Sequence, residues 1–465
     1  MTYRNFPLKR YLFWFANEHA DFRLPEIKSI VSLYNISLKW VEEPSAHPFW
    51  IVDLPNEDSA RKIASRSVCL RRVIELWGHQ KTIPALHQQL KEVPKDFWKP
   101  YCARNKSFKI KVETFCNSQS QREKVQKIET FSYLPFEGPV KLKDPDVVMQ
   151  YIEYYGMDPN NRPTVPCEVF FGLVICKGQR DVIAKINLKE RKFIGNTSMD
   201  PQLSLLMANQ AKIKSGDLVL DPFVGTGSLL IAAACFGGYV LGTDIDYLML
   251  HAKTKPSRKQ DRFKGRNVDE SVFANFIQYQ MQSHYVDVVV SDSSRPLWRD
   301  NLVFDAIVSD PPYGIRESME RIGSYKHVPR LSEEYIPTHI PSKVEYNMEQ
   351  MLKDLLCFSA RHLKIGGRLV TWIPVFRSDY DVKTLPCHSC LSIVGNSEQL
   401  FSTCTSRRLL TYEKVKEPKE GVEDATVGIS LKTFRQKYFT HMEAVKAERK
   451  KQKLQQELLR QSQSR

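Results

Sequence analysis

Apolar residues along the chain recur with two different textures, and the change falls near residue 191. Before it, short strand-like and helix-like segments mix. RYLFWFA, from Arg10, is aromatic and strand-prone. LPEIKSIVSLYNI carries apolar residues at helical spacing, and FWIVDL again predicts a strand. EDSARKIASRS predicts a helix and is followed by CLRRVIELWGH. KSFKIKVETF predicts a strand with alternating lysines, and DPDVVMQYIEYYG (144–156) predicts a helix. VFFGLVICKG and DVIAKINL, within 169–188, predict a hairpin turning at Lys177, Gly178 and Gln179.

After residue 191, strands and helices alternate as in a mostly parallel sheet with crossover helices. Strands are expected at LVLDP (218–222), YVLGTD (239–244), VDVVVSD (286–292), FDAIVSD (304–310) and GGRLVTWIP (366–374). LSIVGN and RRLLTYEK predict a closing antiparallel hairpin. No internal repeat is visible. The fold class is therefore an α/β domain with a mostly parallel sheet, preceded by an α+β region.

Length and composition narrow the function classes. The chain has 465 residues, enough for two or three domains. Lys plus Arg number 68 against 53 Asp plus Glu, a net charge of +15 that suggests a polyanionic partner such as nucleic acid. The first residues show no apolar core or small-residue cleavage site of a signal peptide. No apolar run approaches the ~18 residues of a membrane span. The ten cysteines are scattered, a pattern of reduced thiols that predicts a cytoplasmic protein. Cys387 and Cys390 form a CHSC sequence, but no second ligand pair at zinc spacing accompanies them, so they read as structural thiols and no metal is expected.

Candidate chemistry gathers at the ends of the predicted parallel strands. In LVLDPFVGTGSLLIAAA, Asp221 closes a strand, Phe223, Gly225 and Gly227 form a turn, and an apolar helix begins at Ser228. Glycines allow close backbone approach to a ligand. The pattern is not G-x-G-x-x-G and no P-loop lysine follows, which disfavours a phosphorylated cofactor. An acid at the strand tip suits a ligand bearing an amino group; a purely structural glycine turn is the alternative. About twenty residues on, Asp244 ends the next strand, where an acid accepts from ribose hydroxyls. Asp246 alternatively caps the next helix. Asp292, at the third tip, could accept from an adenine amino group or serve as a surface cap. FDAIVSDPPYGI brings Asp310, Pro311, Pro312 and Tyr313 to the fourth tip, where two prolines force an extended exit.

DPFVGTGS, GTDID and SDPPYG, in this order, resemble the S-adenosylmethionine-dependent amino methyltransferases. The resemblance implies S-adenosylmethionine as cofactor and Asp310, Pro311, Pro312 and Tyr313 as the catalytic segment. An exocyclic base amine is a poor nucleophile because its lone pair is delocalised. Asp310 and the Pro311 carbonyl would each accept an amine hydrogen, aiming the lone pair at the methyl group, while Tyr313 offers a stacking face. A base paired in a duplex cannot enter such a site without flipping.

RKFIGNTSMDPQLSLLMANQAKIKSGDLVLDPFVGTGS resembles, more narrowly, the tRNA guanosine-10 N2-methyltransferase catalytic-subunit family, over residues 1 to about 430. This implies a ferredoxin-like domain (1–55), a THUMP RNA-binding domain (56–188) and the methyltransferase domain with a seven-stranded sheet (189–425); the residues beyond read, from their charge, as a basic helical or disordered tail (426–465). It implies tRNA as substrate and places Thr197, Ser198 and Met199 beside the cofactor; from the residues alone, Thr197 or Ser198 could equally cap DPQLSLLMANQAK. It also implies a small zinc-binding activator subunit. The strand YVDVVVSD supplies a physical reason for one: it is expected at a sheet edge, without proline, lysine or bulge signal, and so presents an unprotected pairing edge. After residue 430 the tail holds ten Lys/Arg and three Asp/Glu. The rival readings are an amino methyltransferase acting on rRNA guanine or DNA adenine, and a non-catalytic RNA-binding scaffold.

Overall fold

The computed structural model describes residues 8–254, 269–295, 297–325, 334, 339–419, 424–428 and 434–463. Residues 1–7, 429–433 and 464–465, which belong to the expected N-terminal domain and basic tail, lie outside the described residues. The chain forms two compact units, Met1–Ala184 and Lys185–Arg465.

In the N-terminal unit, β1 (Lys9–Phe15), β2 (Lys39–Trp40), β3 (Phe49–Leu54), β4 (Leu70–Gln80), β5 (Phe108–Phe115), β6 (Val147–Tyr154) and β7 (Glu168–Lys177) form one sheet of order β2-β3-β1-β4-β7-β6-β5. The sheet runs across residue 55: β1 pairs with β3 on one side and with β4 on the other. The expected helix over DPDVVMQYIEYYG is instead β6. All its residues but Val148 are buried: Val147, Met149 and Tyr151 pack in one core cluster, and Ile152 and Tyr154 in another. A strand covered on both faces reads as a continuous apolar run, which periodicity cannot distinguish from a buried helix; β-branched and aromatic residues decide for the strand. Asp146 fixes its start by accepting from the Ser107 backbone N–H at 2.8 Å.

The expected hairpin over 169–188 is also absent. β7 is paired on both sides, by β4 and β6, and has no free edge for a returning strand. Gly178 and Gln179 donate to the carbonyls of Arg71 and Ser67. DVIAK then falls within a short helix, Arg180–Lys185.

In the second unit, β8 (Leu218–Asp221), β9 (Tyr239–Asp244), β10 (Tyr285–Val290), β11 (Phe304–Ser309), β12 (Glu320–Ile322), β13 (Lys343–Glu345), β14 (Leu363–Phe376), β15 (Cys387–His388), β16 (Leu391–Leu400), β17 (Thr405–Lys414) and β18 (Ala425–Thr426) follow in sequence. The main sheet has the order β10-β9-β8-β11-β14-β17-β16-β15-β18; β12 and β13 pair separately. β10, β9, β8, β11 and β14 run parallel, and β17 and β16 return antiparallel. The expected seven strands are present, extended by the two-residue strands β15 and β18. The order reverses between β8 and β11, where open α/β sheets form their ligand crevice.

Helix Pro201–Gln210 and helix Ser228–Ala234 are buried along their whole length. Helix Met348–His362 turns Met351, Leu352, Leu355 and Leu356 onto the sheet, with Asn347 capping its start. β10 is the terminal strand, and Val286 and Val290 on it are 50% and 39% exposed. The expectation that it carries no bulge needs correction, since its register with β9 shifts between Tyr285 and Asp287. The basic tail forms helix Phe434–Gln463, whose first residue is buried in the core against Phe376.

Candidate active site

The parallel strands deliver four acids to one end of the sheet. Asp221 is the last residue of β8 and only 1% exposed; its Oδ1 accepts from the Phe223 N–H at 3.1 Å. The turn beyond needs two glycines for different reasons. Gly225 (φ 49°) and Gly227 (φ 78°) both occupy the left-handed region, and a Cβ on Gly227 would also stand 2.6 Å from Val272 Cγ1. Between them, Thr226 is 5% exposed and its hydroxyl lies 2.6 Å from that of Ser198. Ser198 also accepts from the Gly195 N–H at 2.8 Å, and Thr197 donates to Glu317 at 2.9 Å. Met199 is 6% exposed. Neither Thr197 nor Ser198 caps the following helix; Asp200 does, accepting from the Gln202 and Leu203 N–H groups. Ser198 thereby joins the 197–199 segment to the glycine turn.

Asp244, at the end of β9, accepts from the N–H of Gly225 and of Asp246, each at 2.9 Å. Asp246 caps the next short helix through the Met249 N–H, which was the alternative role for it. Asp292 is 4% exposed and accepts from the N–H of Ser294 and Ile322 at 2.8 and 2.7 Å. It therefore tethers β12 to the tip of β10. Beside it a narrow cleft is lined by Phe223, Asp292, Trp298, Tyr346 and Phe358 among others. The chemistry of this lining, aromatic with a few polar atoms, suits a flat heterocycle.

Asp310 follows β11, with Pro311 buried behind it and Gly314 (φ 72°) closing the motif. The Tyr313 hydroxyl donates to Asp310. Arg407, which sequence reasoning missed, reaches the same carboxylate from β17: one guanidinium nitrogen is 3.3 and 3.4 Å from its two oxygens and 3.4 Å from the Tyr313 hydroxyl. On the other side of the motif, Arg435 of the C-terminal helix donates to the Gly314 carbonyl at 3.0 Å.

Burial raises the carboxyls of Asp221, Asp244 and Asp310 above the usual carboxylate range. For Asp221, proximity to Asp244 and Asp310 pushes in the same direction; for Asp310, Arg407 and Tyr313 oppose it. Among the described residues no cation is hydrogen-bonded to Asp221 or Asp244. A crevice with this charge repels a phosphorylated cofactor. It fits S-adenosylmethionine, which offers a sulfonium and an ammonium to the acids, ribose hydroxyls as donors and an adenine for the aromatic cleft.

Cys387 lies 2.9 Å from the Thr426 hydroxyl, Cys390 is buried in the core, and all ten cysteines are free. Among the described residues no group of three or more His, Cys, Asp or Glu is placed to hold a metal. Nor, among them, is any helix long and apolar enough to cross a membrane.

A parallel sheet reversing between β8 and β11, with a glycine turn after the first strand and an acid-proline-proline-aromatic exit from the fourth, defines a methyltransferase domain. Residues 189–335 match the family described as RMKL-like, methyltransferase domain, and residues 9–180 match the Tmrp11 THUMP N-terminal domain. The chain belongs to the tRNA (guanine(10)-N(2))-methyltransferase family. It is 48% identical over 411 residues to tRNA (guanine(10)-N(2))-methyltransferase TRMT11 of Bos taurus, covering 88% of this chain and 89% of that one. The Homo sapiens relative of the same name is 46% identical over 413 residues, with the same coverage. The tRNA (guanine(10)-N(2))-methyltransferase of Saccharomyces cerevisiae is 34% identical over 447 residues, 93% of this chain and 100% of that one.

Proposed function

We propose that this chain methylates the exocyclic N2 amine of guanosine 10 in tRNA, using S-adenosylmethionine. The observation that carries the reading is the placement of Asp310 and Tyr313 at the tip of β11, next in the sheet to the acid and glycine turn of β8. Asp221, Asp244 and Asp292, with Thr197, Ser198, Met199, Phe223, Gly225 and Gly227, hold the cofactor. When bound, S-adenosylmethionine supplies an electrophilic methyl group on a sulfonium. Asp310 and the Pro311 carbonyl take the two hydrogens of the guanine amine and so localise its lone pair on nitrogen. Tyr313 carries the base on its ring, and Pro312 keeps the exit extended. Once the nitrogen is alkylated it becomes acidic, and Asp310 is the adjacent carboxylate able to accept its proton.

The N-terminal unit gathers the tRNA. Its match to a THUMP domain supports this, as does the basic excess of the chain. A small zinc-binding activator adds a strand to β10, a role supported by that strand's terminal position and exposed valines. The ten free thiols support a reducing compartment, the cytoplasm.

The test is nucleoside mass spectrometry of tRNA incubated with the protein and isotope-labelled S-adenosylmethionine. Label should appear in N2-methylguanosine, mapped to position 10. Label in another nucleoside, or none with an active preparation, refutes the assignment.

A further inference from the structure

Arg407 stands in β17, opposite Pro374 of β14, and β14 in turn neighbours β11. Its side chain therefore spans the strand between itself and Asp310. It is 9% exposed, and its position is set by groups other than that carboxylate. The guanidinium carbon lies 4.0 Å from the centroid of the Trp372 ring, and Nε donates to Gln399 Oε1 at 2.7 Å. Trp372 is itself fixed, with Nε1 3.1 Å from Met207 Sδ. A cation fixed in this way is a preorganised charge, and the carboxylate beside it adapts to the cation.

The geometry points to Arg407 as a positioning residue for methyl transfer, one that counter-charges and orients the Asp310 carboxylate toward the target amine. This rests on the reading of Asp310 as the amine's acceptor. The groups facing Asp310 are Tyr313 on its own segment, Arg407 from β17 and the acid Asp221 from β8. Burial favours a neutral carboxyl, which would present a donor to an amine that needs an acceptor. Arg407 is a cation that opposes it. Arginine suits the place better than lysine, because a planar guanidinium lies on Trp372 and serves Gln399 and Asp310 at once.

The test is the pH dependence of single-turnover tRNA methylation from about pH 5.5 to 9, with the full-length protein in its active preparation and saturating S-adenosylmethionine. Arg407→Met is expected to lower the rate at neutral pH by about 30-fold or more, to move the acid limb up by about one pH unit, and to recover partly in base. S-adenosylmethionine affinity by calorimetry should stay within about twofold. Arg407→Lys keeps the charge, so its acid limb should stay near wild type while its rate falls. A Met variant whose profile overlays the wild type after scaling overturns the inference. If the Met variant does not fold, the Lys variant decides: an acid limb displaced as far as one pH unit despite the retained charge overturns it. Asp310→Asn separates the two readings. Undiminished turnover there refutes Asp310 as acceptor; an inactive Asn variant beside an unshifted Arg407→Met profile refutes only the role of Arg407.

Discussion

The hydroxyls of Ser198 and Thr226 lie 2.6 Å apart and join two stretches of chain separated by 28 residues. One precedes the first helix of the methyltransferase domain; the other is the centre of its glycine turn. Ser198 also caps the Gly195 N–H, so a single side chain shapes the loop that faces the turn.

Ser198→Ala should therefore weaken S-adenosylmethionine binding about three- to tenfold, because a neutral hydrogen bond between part-buried groups contributes about 1 kcal/mol. Isothermal titration calorimetry checks this. Unchanged affinity would detach the 197–199 segment from the cofactor.

Asp310→Ala should reduce methyl transfer by about 10²-fold or more while S-adenosylmethionine affinity stays near wild type. The carboxylate is hydrogen-bonded to Tyr313 and Arg407. Single-turnover assays paired with calorimetry separate the two effects.

Asp244→Ala has a double consequence. Its two oxygens hold the N–H groups of Gly225 and Asp246, so its loss should relax the glycine turn as well as remove an acceptor for ribose hydroxyls. A stability decrease of about 1–3 kcal/mol should accompany weaker cofactor binding. Thermal denaturation with and without cofactor measures both, and the stabilisation by cofactor should shrink in the variant.

Val290→Lys, on the outer strand β10, should disturb association with a strand-adding partner and leave cofactor affinity unchanged. Val290 is 39% exposed, so the monomer tolerates the lysine. A drop in affinity of about tenfold or more is expected by analytical ultracentrifugation of the two proteins. Undisturbed association moves the docking surface elsewhere.

Glu168 gives a stability prediction with a defined pH window. His79 Nε2 and Lys81 Nζ lie 2.9 and 2.8 Å from its carboxylate and hold it down to about 2, against an ordinary 4.5. A depressed carboxyl stabilises the fold above its unfolded value and loses that contribution as pH falls through its folded value. Glu168→Gln should thus cost about 2 kcal/mol at neutral pH. The difference should narrow as pH falls from about 4.5 toward 2, read by urea unfolding of the full-length protein.

The sequence reveals best what depends on local alternation. Asp221, Asp244 and Asp310 end apolar runs separated by helices, and the parallel strands carry all three to one edge. β6 is opaque because core clusters cover both of its faces, leaving Val147–Tyr154 without a polar stripe. The segment after β7 misleads because the saturation of both edges of β7 is a property of the whole sheet. Arg407 is opaque for a third reason. It meets Asp310 from 97 residues away, and the pair Arg407–Arg408 in a hairpin reads as surface charge. Only its parity on β17, shared with the buried Thr405 and Leu409, hints otherwise.

Arg435 contacts the Gly314 carbonyl across 121 residues, and Phe434 beside it is buried in the domain core. The segment behind Tyr313 is thus braced from a part of the chain that a ribosome makes much later. A variant cut before Phe434 keeps the parallel strands that form the crevice and loses this brace, so the last helix couples the order of the segment after β11 to the far side of the domain.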